Sequence, residues 1–160
     1  MKSATEVFKT ALYNEVKANA FYAKAAEITK NDESRMLFLQ LGDMEDDHAR
    51  MLVKKVGGLP MVQGFNAETY LEGLEANAHA VIDEKEMAVL NTGSMAEILQ
   101  LAVELENKAQ DTYHSLAEKT TDAAARDFCL ELAAVEEKHA TSLKNLLNSL
   151  TMDSEDRPGL

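Results

Sequence analysis

Apolar residues recur at three- and four-residue intervals along four long stretches of the chain, the period of one face of an α-helix. In the first stretch Phe8, Ala11, Leu12, Ala18 and Tyr22 share a stripe, and in the second Phe38, Leu41 and Leu52 do so. In the third the stripe is Leu99, Ala102, Val103, Ala109 and Tyr113, and in the fourth Cys129, Leu132, Ala133 and Leu143. The pattern predicts helices over 4–30, 33–56, 94–119 and 122–149. Local chemistry marks their ends. Ser3 with Glu6 and Ser94 with Glu97 have the spacing of a capping box. Asn31 and Asp32 interrupt the first pair, and Thr121 or Asp122 can cap the fourth helix. Gly57-Gly58-Leu59-Pro60 stops the second helix. The prediction is an all-α antiparallel four-helix bundle forming one domain over 1–150.

The connection between the second and third helices, about 57–93, is too long for a simple turn. Ala67 to Met87 reads as one or two short helices within it. A helix of about 25 residues is about 38 Å long. A connection of this size can therefore travel the length of the bundle as a crossover. Residues 151–160 are polar, contain Pro-Gly, and are expected to form a flexible tail.

The two helical pairs repeat one another. Glu15 and Glu106, Tyr22 and Tyr113, Glu45 and Glu136, and His48 and His139 each stand 91 residues apart. Ala18/Ala109, Leu41/Leu132, Ala49/Ala140 and Leu52/Leu143 keep that spacing. One Glu-x-x-His arises easily in an acidic helical chain. Two in register, each preceded by a Glu followed seven residues later by a Tyr, do not. Asp111-Thr112-Tyr113-His114 is a decoy, because Asp111 lies about 140° around the helix from Glu106.

Glu15, Glu45, Glu106 and Glu136 fall on the apolar stripes, near the middle of their helices. The fold should bring these four carboxylates, with His48 and His139, to one level of the core. Buried charges cost several kcal/mol each unless they are compensated. Two divalent cations supply the compensating charge, and carboxylate with imidazole suits iron or manganese, with zinc a further possibility. A Glu and a His one turn apart can reach the same ion. Tyr22 and Tyr113 lie where each can steady a ligating carboxylate by a hydrogen bond. Asn19 and Gln110 share the repeat spacing and are weaker candidates for the same role. Cys129 reads as a small buried hydrophobe, and His79, His114 and Glu104 as ordinary outward residues. Asp43, Asp46 and Asp47 read as a solvated face able to attract cations.

Composition narrows the functional classes. With 16 basic against 28 acidic residues the formal charge is −12, which disfavours nucleic acid and anionic membranes. The single cysteine rules out an internal disulfide framework, a four-cysteine metal site or a CxxC redox pair. No apolar run has the length of a spanning helix, and the first residues lead into no signal-type stretch, so cytoplasmic residence is expected.

Over residues 4–149 the sequence resembles the ferritin-like proteins of the rubrerythrin type. The motifs are Glu15 to Tyr22, Phe38 to Ala49, Glu106 to Tyr113, and Glu136 to Ala140. The resemblance implies a di-iron centre in a bundle with a long crossover, and a homodimer. It implies reduction of hydrogen peroxide or dioxygen by oxidation of two ferrous ions, with electrons from an external donor protein. The alternatives are a slow ferroxidase-like or iron-storage bundle, and an interaction module with no metal function. Two departures from the family stand out. There is no rubredoxin module with its paired CxxC motifs. The positions one turn from Glu106, where such proteins tend to carry a further carboxylate, hold Ala102, Val103, Ala109 and Gln110.

Overall fold

Each long helix starts where a small polar side chain accepts from the first turn. In the computed structural model, which describes residues 2–156 with side chains to Leu150, Ser3 accepts from the Glu6 amide and opens α1 (Ala4–Ile28). Ser94 and Glu97 form a reciprocal capping box at the start of α6 (Met95–Lys119). Asn31 caps α2 (Asp32–Val56), and Asp122 accepts from the Ala125 amide to open α7 (Ala123–Asp156). α1 ends two residues before the predicted limit. There Thr29 turns extended, and its hydroxyl donates back to the Ala25 carbonyl. Thr120 ends α6 in the same way against Leu116. The repeat thus extends to the helix boundaries.

The fourth helix runs past its predicted end at 149 to Asp156. No helix breaker occurs before Pro158. Of the segment expected to be a flexible tail, 157–160 lie outside the described residues.

The crossover holds three helices where one or two were expected: α3 (Ala67–Ala76), α4 (Ala78–Val81) and α5 (Glu84–Thr92), preceded by a tight helical turn at Pro60–Val62. Asn77 leaves helical geometry and separates α3 from α4. Asp83 and Glu86 form a complete capping box that starts α5.

α1 pairs with α2 and α6 with α7, and the two hairpins meet through α1–α6 and α2–α7. α3, α4 and α5 pack along α1. The Tyr13 hydroxyl donates to the Val81 carbonyl, and Lys17 pairs with the buried Glu86 at 2.9 Å. The core has two main apolar layers. One contains Phe8, Leu12, Leu52, Leu116 and Cys129. The other contains Phe21, Phe38, Leu99, Ala102 and Leu143. On every helix of the bundle the repeated glutamates and histidines fall between these layers. Among the described residues no helix is long and apolar enough to cross a membrane.

Candidate metal centre

Mid-helix positions on four apolar stripes bring Glu15 from α1, Glu45 and His48 from α2, Glu106 from α6, and Glu136 and His139 from α7 together. All four glutamates are 1% exposed, His48 7% and His139 6%. The Nδ1 of His48 lies 3.0 Å from Glu136 Oε1, and the Nδ1 of His139 lies 3.1 Å from Glu45 Oε1. Each imidazole therefore approaches the glutamate of the opposite Glu-x-x-His. The two rings are parallel, 7° apart in plane, with centroids separated by 6.1 Å. The arrangement has approximate two-fold symmetry, as a duplicated hairpin requires.

The tyrosines cross between hairpins too. Tyr22 donates to Glu106 Oε1 at 2.5 Å, and Tyr113 donates to Glu15 Oε1. Both phenols are buried, and burial followed by the nearby carboxylates pushes both well above their ordinary range. They stay protonated and therefore remain donors.

One atom of each glutamate and histidine makes no hydrogen bond: Oε2 of Glu15, Glu45 and Glu106, Oε1 of Glu136, Nδ1 of His48 and Nε2 of His139, the close approach of His48 Nδ1 to Glu136 Oε1 being an ion-pair distance without hydrogen-bond alignment. Buried polar atoms are almost always paired, so six orphans in one spot need an explanation. Their electrostatics are equally strained. Burial, then Glu45, pushes Glu15 well above the carboxylate range. Burial and the contact with Glu106 push Glu136 far up. Burial also acts to raise Glu45, but contacts with Glu15, His139 and His48 outweigh it and hold Glu45 well below. Burial acts to lower His139, while Glu106 and Glu45 outweigh it and bring it to about 9.

Two overlapping groups have ligand atoms within 4.8 Å of one another: Glu15, Glu45, His48 and Glu136, and Glu45, Glu106, Glu136 and His139. Each could hold a metal ion. Oxygen and imidazole donors at this density fit a divalent cation, which would satisfy the orphans and the charge together.

The remaining sequence candidates separate. Asn19 donates to the Gly42 carbonyl at 2.8 Å and ties α1 to α2. Gln110 donates to Asn107 at the surface. Cys129 is buried and its thiol is raised to about 11 by burial. His79, His114 and Glu104 are exposed, as are Asp43 and Asp47, while Asp46 is half-buried. The pairing of half-buried Lys17 with buried Glu86 is not read from the sequence. The Asp83-x-x-Glu86 spacing was the available signal for its acidic member.

A helical bundle with a long crossover and paired Glu-x-x-His helices is of the ferritin-like class. Within that class the sequence matches the rubrerythrin family across residues 6–147, and the chain belongs to that family. No curated protein and no solved structure matches it.

Proposed function

We propose that the chain is a di-iron oxidoreductase of the rubrerythrin type, acting on hydrogen peroxide or dioxygen. The observation that carries this reading is the set of six orphaned polar atoms on six buried residues, falling into two groups that share Glu45 and Glu136. Glu15 and His48 would hold one ion, and Glu106 and His139 the other. Glu45 and Glu136, common to both groups, would be available to either ion. When bound, two ferrous ions supply the two electrons that, with two protons, convert peroxide to two waters.

The chain's own residues prepare that chemistry. Tyr22 and Tyr113 fix the two unshared carboxylates, so the donor set is organised before any ion arrives. The apolar layers on either side exclude bulk water. The centre lacks an internal route for its electrons, because one cysteine cannot build a four-thiolate iron site. Electrons would come from a donor outside these 160 residues. Homodimerisation and cytoplasmic residence belong to the same reading.

One observation favours slow ferroxidase or iron-handling activity as a second reading. The positions one turn from Glu106 hold Ala102, Val103, Ala109 and Gln110, so none offers the further carboxylate that the peroxide-reducing members tend to carry.

Metal analysis of protein purified anaerobically without chelators, with ferrous-loaded protein mixed with peroxide, tests the proposal. Two irons per chain and rapid oxidation that repeats with added reductant support it. Oxidation that stops after one turnover supports the second reading. Absence of iron uptake, or unchanged uptake when Glu45 and Glu136 both become Ala, overturns both.

A further inference from the structure

A small cavity of about 110 Å³ reaches the cluster from the side covered by the crossover. It lies between α1, α2, α3 and α4, and is well above the space needed by a single water. Glu15 lines it, and Glu15 is 1% exposed with Oε2 unpartnered. Asp46 and Glu75, both half-buried, line it as well, and Leu71 and Ala78 add apolar wall. A buried candidate ligand and two carboxylates nearer the surface thus share one small space.

Arg50 engages both of the outer carboxylates. Its Nη2 lies 3.0 Å from Glu75 Oε2 and 3.4 Å from Asp46 Oδ1, and the side chain is 59% exposed. One guanidinium against two carboxylates leaves a net negative charge. That balance disfavours an anion, and a neutral oxidant has no need of it. A dication, by contrast, can displace the arginine and take oxygen ligands from the same two groups.

The path is one-sided. The repeat places Glu137 where α2 has Asp46, but Glu137 is exposed. α3 and α4 pack on α1, and α3 also meets α2, so the crossover supplies a wall and a second carboxylate on this side.

We propose that this cavity is the route by which a divalent cation reaches Glu15, with Asp46 and Glu75 as relay ligands and Arg50 as a displaceable counter-ion over them. The proposal rests on the di-metal reading and adds to it how the site is filled.

Anaerobic stopped-flow uptake of cobalt(II), followed by its absorbance and with final stoichiometry determined, tests the route. The double variant Asp46→Asn/Glu75→Gln should take up cobalt about tenfold more slowly, within the range of electrostatic effects on association. Its final stoichiometry should equal that of the wild type. Ala78→Leu, which narrows the cavity without changing a charge, should also slow uptake. Arg50→Gln should speed it. Asp43→Asn/Asp47→Asn, which removes as many charges from the same helix but outside the cavity, should slow it much less. Circular dichroism verifies that each variant is folded. Wild-type rates in the Asp46/Glu75 variant or in Ala78→Leu overturn the route, as does equal slowing in the Asp43/Asp47 control. In those cases wild-type cobalt binding leaves the di-metal reading standing. A wild-type protein that binds no cobalt or iron overturns the di-metal reading and the route with it.

Discussion

Tyr22 of α1 donates its phenol to Glu106 of α6 at 2.5 Å, so each half of the repeat steadies a carboxylate of the other. Tyr113 makes the reciprocal bond to Glu15. Glu15 and Glu106 are the two glutamates that belong to only one of the overlapping ligand groups. The shared glutamates, Glu45 and Glu136, approach histidines instead. Hydroxyl donors thus fix the outer carboxylates, leaving the central pair free to respond to cations.

Removing one phenol should leave a buried carboxylate oxygen without its donor. Tyr22→Phe is expected to cost about 1–3 kcal/mol, and Tyr113→Phe a similar amount. At this chain length each kcal/mol lowers the melting temperature by about 2–4 °C. The double variant should depart from additivity by more than about 0.5 kcal/mol, because both bonds end in one cluster. Thermal melts of the two single variants and the double variant provide the measurement. Strict additivity, or losses too small to resolve, would make the tyrosines filling rather than support.

Glu136 offers the opposite test. Burial and three neighbouring carboxylates push it far up, and its Oε1, although 3.0 Å from His48 Nδ1, makes no hydrogen bond. Met has similar bulk and no polar group to leave unsatisfied. Glu136→Met should therefore stabilise the chelator-treated protein by about 1 kcal/mol, while abolishing the stabilisation that added ferrous or cobalt ion gives the wild type. Melts with and without metal read both effects. A lower melting temperature in chelator would show that Glu136 supports the fold itself.

The bundle and the cluster were legible because both rest on local periodicity. The apolar stripes carried Glu15, Glu45, Glu106 and Glu136 inward, and the common spacing of 91 residues tied the two Glu-x-x-His motifs together. Which glutamates lie in both ligand groups was not legible, since it depends on how the hairpins dock. The crossover was read less completely. Asp83-x-x-Glu86 announces a helix start, but the pairing of Glu86 with Lys17 joins residues distant in sequence. Asn19 and Gln110 looked equivalent by register and are not. The Asn19 side chain reaches a backbone carbonyl at Gly42, whose counterpart in the second hairpin is Ala133. The cavity likewise escaped notice because its walls come from both the bundle and the crossover.

Gly42 itself is a site for stabilisation. It lies inside α2, and a Cβ placed there would meet Tyr22 Cβ at 3.5 Å and Asn19 Nδ2 at 3.8 Å, both ordinary contacts. Ala133 shows that the repeat accommodates a methyl at the equivalent position. Gly within a helix costs about 0.8–1.0 kcal/mol relative to Ala. Gly42→Ala should therefore raise stability by up to about 1 kcal/mol, with the Asn19–Gly42 hydrogen bond retained. Denaturant unfolding checks it through the midpoint at unchanged slope. A lower midpoint would mean that α1 and α2 must separate to accept the methyl.

Asp83 predicts a pH dependence confined to the crossover. The Glu86 amide donates to its carboxylate, and this bond is the main cause of a value below the ordinary carboxylate range. With a folded value below the unfolded one, the contribution is fully present above about pH 3.9. It is lost as pH falls through the lowered folded value. Asp83→Ala should weaken α5 by about 1 kcal/mol at neutral pH by removing the cap. Asp83→Asn keeps a capping oxygen but cannot ionise, so it should lie between Ala and wild type. Its deficit relative to wild type should shrink as pH falls below the carboxylate range. Amide exchange at Met87, whose N–H bonds to the Asp83 carbonyl, followed with the other α5 amides, reports the local opening. A wild-type-minus-Asn difference that is constant with pH would place the effect in cap shape and not in the charge.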